Sequence, residues 1–429
     1  MPVSRFNWVV AIAALLAIFS SAEGKHLRKR QDGHWVDTWA SMPQLTEPAN
    51  LPPAPYNQSG SVFVNSTIRQ TIHTSIGGDK IRIRISNAFG ATNLPITAVT
   101  VALPFNGSAG VSAIQTNTLH TVTFSGSPNY TVPNGALVVS DPINFRVAPT
   151  SMLTVTIYLK DGQTTNFITS HPGSRTTSWM AFGNQVSTAN ITDSNRQSVQ
   201  HWYFLSAAEV YTSRDYSSFA IVGDSITDGR GSDNDKNNRW PDLVLARMQA
   251  NKDTSSIALI NQAAGGNRIL YDGLGPNALG RIDRDVLSHS GVEYAMIFEG
   301  VNDIGTGATD AVSQKVVGDR LIAAFKQMVI RLQAADITVF ASTITPFSAP
   351  GYNVTMESYS DPEREKTRQR VNKFIRESGI FDEVVDFDKM LRNETHPEQL
   401  QAALQGGDYL HPNGAGYKKI SDAFPLAIF

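Results

Sequence analysis

Phe219-Ala220-Ile221-Val222-Gly223-Asp224-Ser225-Ile226-Thr227-Asp228-Gly229 joins a short, wholly apolar run to a glycine and a polar turn. An apolar run of this length fits a strand buried on both faces, and the glycine lets the chain turn sharply into whatever follows. Downstream the same kind of run recurs at Ile257-Ile260, Ala295-Phe298, Ile337-Phe340 and Val384-Val385, separated by longer segments with helical spacing. Strands and helices in alternation, with strands apolar on both faces, predict right-handed crossovers and a three-layer α/β/α sandwich around a parallel sheet. Ala311-Ala335 carries Val316, Val317, Leu321, Phe325, Met328, Val329 and Leu332 at spacings that read as a helix facing the core. Asp361-Glu377 reads as a second helix, with Val371, Phe374 and Ile375 inward, and Gly414-Ala423 as a third.

Upstream of this half the pattern is different. From His34 to about Tyr211 apolar and polar residues alternate, as in Ile81-Arg82-Ile83-Arg84-Ile85 and Leu153-Thr154-Val155-Thr156-Ile157. That period of two predicts half-buried antiparallel strands in a β-sandwich or jelly roll. Gly77-Gly78-Asp79 is expected to close a hairpin between Ile68-Ile76 and Lys80-Ser86. The periodicity switches near Ser206-Ser217, so the expected organisation is a leader over 1–30, a β domain over 31–212 and an α/β domain over 213–429.

The leader is read from Arg5 followed by an apolar run from Trp8 to Phe19 that ends in Ser20, Ser21 and Ala22. This run is too short to span a membrane comfortably, so it is expected to direct secretion and be removed rather than to anchor the chain. Lys29-Arg30 reads either as a propeptide cleavage site or as an exposed basic linker. Sequons at Asn57, Asn65, Asn106, Asn129, Asn190, Asn353 and Asn393 fit passage through a glycosylating lumen to the extracellular space. The chain has no cysteine, so roughly 400 residues must be held by buried apolar surface without disulfides. A net charge of -2 gives no reason to expect nucleic acid or an anionic membrane as partner. Zinc chemistry is not expected either, since the nine histidines form no His-Glu-x-x-His pair.

Four short blocks carry the chemistry. Ser225 lies just past the carboxyl end of the first buried strand, the edge where open parallel sheets place their ligands. Near the carboxyl terminus, Asp408 precedes His411 by three residues, which lets the carboxylate hold one ring nitrogen and leaves the other free to take a proton from a serine. Gly265-Gly266-Asn267 follows the second strand and Gly300-Val301-Asn302-Asp303 the third. The backbone N–H groups of Ser225 and Gly266 and the side-chain amide of Asn302 would then form a pocket of three donors for a developing oxyanion. Each block alone is ordinary turn chemistry, and the G-x-S-x-G elbow of α/β-hydrolases is absent because Thr227 takes its last position. It is their joint order that points to a serine hydrolase.

Gly-Asp-Ser-Ile, Gly-Gly-Asn, Gly-Val-Asn-Asp and Asp-Tyr-Leu-His resemble the four signature blocks of SGNH (GDSL-type) hydrolases. The resemblance implies a flavodoxin-like sheet and a catalytic quartet at Ser225, Gly266, Asn302 and His411, with Asp408 completing the triad. Because the second block holds two adjacent glycines, its donor falls on Gly266 or on a neighbour. His34-Trp35-Val36-Asp37-Thr38-Trp39-Ala40-Ser41 and Arg82-Ile83-Arg84-Ile85-Ser86-Asn87-Ala88-Phe89-Gly90 are similar to the β domain of a secreted microbial subgroup. The expected activity is cofactor-free hydrolysis of small-molecule or polysaccharide esters, with short acyl groups on carbohydrate preferred. A lipase or lysophospholipase acting on longer chains is the rival enzyme, and a polysaccharide-binding scaffold the rival without catalysis. Trp240, Tyr271 and Phe347 read better as packed aromatics than as pocket walls.

Overall fold

The computed structural model describes residues 33–429. The expected leader and the Lys29-Arg30 pair lie outside these residues. Within them, five parallel strands run in the order Ile257–Ala263, Ser217–Gly223, Val292–Phe298, Thr338–Ser342 and Glu383–Val385. The direction of sheet growth reverses at Ser217–Gly223, so the crevice at its carboxyl end is where such a sheet opens to a ligand. Register places Gly223 beside both Ala263 and Phe298, which brings the three following loops to one edge.

Helices cover the sheet in two groups. Trp240–Ala250 packs on Gly414–Ala423, and Ala311–Gln333 packs on Pro362–Glu377. The shared core runs through Phe219, Ile221, Phe298, Phe325, Phe340 and Trp240. Asp361 starts the Pro362–Glu377 helix by accepting hydrogen bonds from the N–H groups of Glu363 and Arg364. Such an N-cap is worth about 1 kcal/mol, and Pro362 adds a preset φ at the first helical position. One expected core residue is displaced: Val316 is 49% exposed, because the packed stripe of its helix runs through Leu321, Phe325 and Met328 and leaves Val316 toward solvent.

Two antiparallel sheets face each other across a second core formed by Ile68, Ile72, Ile83, Ile85, Val155 and Ile157. One contains Gly33–Ala40, Leu205–Ser213 and Gly78–Ser86 side by side. The other is centred on Ser66–His73 and Met152–Leu159. The hairpin expected at Gly77-Gly78-Asp79 therefore does not exist, since Ser66–His73 and Gly78–Ser86 belong to opposite sheets. The glycines serve close approach instead. A Cβ on Gly77 would meet the carbonyl oxygen of Val147 at 2.5 Å, and one on Gly78 would meet Val210 at 2.9 Å. A third, small sheet pairs Thr169–His171 with Trp202–Tyr203 and Gln44–Leu45.

The last antiparallel strand ends at Ser213 and the first parallel strand begins at Ser217, with the two parts docked through buried polar contacts. Asp37 accepts hydrogen bonds from His289 Nδ1 (3.0 Å) and the N–H of Ser290 (2.6 Å). Ser75 Oγ donates to the carbonyl of Leu259 at 2.7 Å. Glu209, fully buried, accepts from Arg82, Arg84 and Ser290. A buried carboxylate is tolerable only when paired in this way. Six of the seven sequon asparagines are exposed, while Asn393 is half-buried.

Candidate active site

The Ser217–Gly223 strand ends in a turn so tight that a Cβ on Gly223 would meet the side chain of Thr227 at 2.7 Å. Asp224 caps the short helix Ser225–Asp228 by accepting the N–H of Ile226 at 2.9 Å, and Gly229 ends it at φ +98°. Ser225, at the first position of this helix, lines a cavity of about 520 Å³. Its Oγ is 2.7 Å from His411 Nε2. On the other side of the ring, His411 Nδ1 is 2.7 Å from Asp408 Oδ2. Ser225 and His411 are both buried.

The loop that carries the histidine is shaped by its own hydrogen bonds. Asp408 Oδ1 accepts the N–H groups of Leu410 and His411, and Gln405 Oε1 accepts those of Gly407 and Tyr409. Burial pushes the Asp408 carboxyl up, but the hydrogen bonds from the ring and backbone of His411 outweigh it and hold the group below the usual carboxylate range.

Asn302 and Gly266 line the same cavity, so the residues expected from the four blocks are brought together. Gly266 has φ +72°, a conformation suited to glycine. The N–H of Gly265 is taken by Asp228 Oδ2 at 3.1 Å, whereas that of Gly266 has no protein acceptor among the described residues. Asn302 Nδ2 donates to the carbonyl of Asn267 at 2.9 Å, and Asn302 Oδ1 accepts from Tyr359 Oη at 3.0 Å. Both contacts fix the amide's orientation and leave its second N–H unspent. Asp303, next in sequence, accepts the N–H groups of Ile269 and Leu270 and so ties the second loop to the third.

Beneath these loops lies Arg281, 2% exposed. It donates to the Gly223 carbonyl, Asn267 Oδ1, Gln262 O, Asp285 and Glu299. One guanidinium thus braces the nucleophile turn, the glycine loop and the end of the third strand. The acids around it are strongly perturbed. Burial, with Asp303 and Asp228 nearby, pushes Asp224 up to about 7 against the opposing N–H of Ile226 and the charge of Arg281. Burial pushes Asp303 up to about 6, and burial together with Asp224 raises Glu299 well above its usual value.

Sequence reasoning missed three contributors. Tyr359 sits in the irregular stretch after the Thr338–Ser342 strand, where no periodicity marks a role. Asp228 is the final acid of the nucleophile turn and was legible there as a charged residue beside a buried strand. Its partner His171 comes from the small antiparallel sheet: His171 Nε2 is 2.9 Å from Asp228 Oδ1, and His171 Nδ1 is 3.0 Å from the Met42 carbonyl. This chain of contacts runs from the β part through Asp228 to Gly265. Of the aromatics, Trp240 and Phe347 are fully buried, and Tyr271 is 48% exposed over a neighbouring cavity rather than this one.

Residues 221–419 match the GDSL-like lipase/acylhydrolase family. The carboxyl-terminal half is a GDSL-like acylhydrolase domain. Solved structures similar to it include a catalytic mutant of an acetylxylan esterase from Geobacillus stearothermophilus, with 21% identity over 49% of this chain and 94% of that one, and a TM-score of 0.37. A GDSL-like lipase from Bacteroides thetaiotaomicron is 18% identical over 51% and 90% of the two chains, with a TM-score of 0.35. A carbohydrate acetylesterase family member from Sinorhizobium meliloti is 12% identical over 49% and 97%, with a TM-score of 0.38. No curated protein matches the chain. The acylhydrolase domain is an ester hydrolase, and the loops that carry Ser225, Gly266, Asn302 and His411 line one cavity.

Proposed function

We propose that the protein is a secreted serine esterase that releases short acyl groups from a hydroxyl-rich alcohol, with Ser225 as nucleophile and His411 and Asp408 as its base and acid partners. The observation that carries this reading is the unbroken relay from Ser225 Oγ to His411 Nε2 and from His411 Nδ1 to Asp408, at 2.7 Å each, among residues that line the cavity. With Nδ1–H donating to Asp408, Nε2 accepts the serine proton as Oγ attacks the ester carbonyl. The oxyanion then forms within reach of the N–H groups of Ser225 and Gly266 and the free N–H of Asn302. His411 returns its proton to the departing alcohol, and water repeats the sequence on the acyl-enzyme to release the acid.

The walls speak for the alcohol. Gln44, Asn50, Arg175, Arg230 and Glu357 line the cavity, whereas its aliphatic side chains are few, chiefly Leu274 and Leu410. A long acyl chain would need a dry groove to repay its desolvation, while hydroxyls can be met by these donors and acceptors. The exposed sequons favour the secretory route. Kinetics on p-nitrophenyl esters from acetate to palmitate test the substrate: kcat/KM should fall steadily with chain length, and a maximum at palmitate would overturn the short-acyl reading.

A further inference from the structure

Two guanidinium groups that line this cavity have no ion-pair partner among the described residues. Arg175 follows the Thr169–His171 strand of the β part at φ +49°, lines the cavity, and has an Nε shut off from solvent with no hydrogen-bond partner. A guanidinium N–H buried without an acceptor costs free energy, and here the backbone pays a strained conformation to put it there. Arg230, exposed on the rim, makes no side-chain hydrogen bond or ion pair among the described residues.

The acids that share the cavity are already engaged. Asp408 and Asp228 each hold a histidine, and Glu47 accepts the side-chain amides of Gln44 and Asn50. Glu357 accepts the N–H of Tyr359, and burial raises its pKa, with the charge of Asp408 adding to the effect.

Arg230 sits on the side of His411, and Arg175 lines the same cavity. The N–H of Arg230 donates to the Ser225 carbonyl, and the Arg230 carbonyl accepts from Tyr417 Oη at 2.5 Å. The next residue, Gly231, lies against the carbonyl of Pro412, where a Cβ would come within 2.5 Å. Arg175 is close enough for its charge to act on the Tyr417 phenol. The oxyanion donors Gly266 and Asn302 come from other loops, in company with Leu274 and Tyr359. Since His411 must hand its proton to the leaving oxygen, the alcohol portion of the ester occupies the side of the cavity that Arg230 lines.

We propose that Arg175 and Arg230 bind an anionic group on the alcohol portion of the ester, so that the β part helps choose the substrate. This rests on the assignment of Ser225 and His411 above. A planar guanidinium fork suits a carboxylate or a phosphate, and the two sources that present them are an acidic sugar and a glycerophosphoryl headgroup.

The experiment is competitive inhibition of p-nitrophenyl acetate hydrolysis by the full-length protein at low ionic strength, pairing galacturonic acid with galactose and glycerol 3-phosphate with glycerol. At least one acid should inhibit with a Ki about tenfold or more below its neutral partner, and the acid that does so identifies the source. The preference should shrink about tenfold in Arg175→Gln or Arg230→Gln and fade with added salt. Equal Ki values within both pairs, measured on the unaltered protein, would overturn the proposal. So would a preference that survives both substitutions. If the unaltered protein turns over no p-nitrophenyl acetate at all, it is the esterase reading that falls, and this one with it.

Discussion

Tyr359→Phe isolates the orientation of a single amide. The substitution removes the hydroxyl that donates to Asn302 Oδ1 at 3.0 Å but keeps the ring, which lies against Gly305 so closely that a Cβ there would meet it at 2.1 Å. Burial, with the charges of Glu357 and Asp224 adding, pushes the phenol above its usual value, so the hydroxyl is a neutral donor throughout the working pH range. In its absence Asn302 retains the bond from Nδ2 to the Asn267 carbonyl at 2.9 Å, which still favours the correct orientation. What is lost is one neutral hydrogen bond, about 0.5–1.5 kcal/mol, equivalent to roughly a 2- to 13-fold fall in kcat. Removing the donor itself, Asn302→Ala, should cost on the order of 10²–10³. Steady-state kinetics on p-nitrophenyl acetate for the two single variants and the double variant supply the assay. Tyr359→Phe should add almost nothing once Asn302 is gone, because residues acting as a unit are not additive. A parental kcat for Tyr359→Phe, or its full penalty persisting in the Asn302→Ala background, would refute the idea that Tyr359 acts through Asn302.

Three further outcomes follow from the same contacts. Arg281→Met leaves Glu299 buried without its guanidinium partner and Asp285 with Arg284 alone, and should cost about 3–5 kcal/mol in denaturant unfolding; a loss under 1 kcal/mol would remove Arg281 as the brace of the three loops. Asp224, pushed up to about 7 by burial, is protonated in the fold over a range where the unfolded chain is ionised. Its contribution to stability is therefore fullest below about pH 4 and is lost as pH rises through about 7. Asp224→Asn keeps the cap on Ile226 without that ionisation, so its Tm relative to the parent should climb by several degrees between pH 4 and 8, where a flat difference would contradict the assignment. His171→Ala should lower kcat on p-nitrophenyl acetate by about tenfold, because a hydrogen bond to the Asp228 carboxylate that steadies Gly265 is lost; an unaltered kcat would mean that this contact only packs the two parts together.

The parallel half was legible because each strand carries a short unbroken apolar run, bounded by helical spacing, with few ways to satisfy its backbone other than in a covered parallel sheet. Once that topology is fixed, Ser225, Gly266 and Asn302 must share an edge, and the three-residue spacing of Asp408 and His411 does the rest locally. The β part was legible in class but not in pairing. Alternation tells which face of a strand is covered, yet not which strand lies beside it, so two glycines needed for close packing at Val147 and Val210 read as a hairpin turn. Tyr359 and His171 escaped notice for a related reason. Each acts through one contact formed only in the folded chain, across 57 residues in both cases, from segments whose local sequence is ordinary loop or short strand. Arg175 carried no signal either, since an arginine after a Pro-Gly-Ser turn is usually a solvated surface residue and only the cavity wall makes it otherwise.

The central claim is that Ser225 attacks the ester. Incubation with a fluorophosphonate, followed by peptide mass analysis, should find the adduct on Ser225 and nowhere else, with kcat of Ser225→Ala reduced about 10⁴-fold or more. A Ser225→Ala protein that still labels and still cleaves p-nitrophenyl acetate at the parental rate would contradict it.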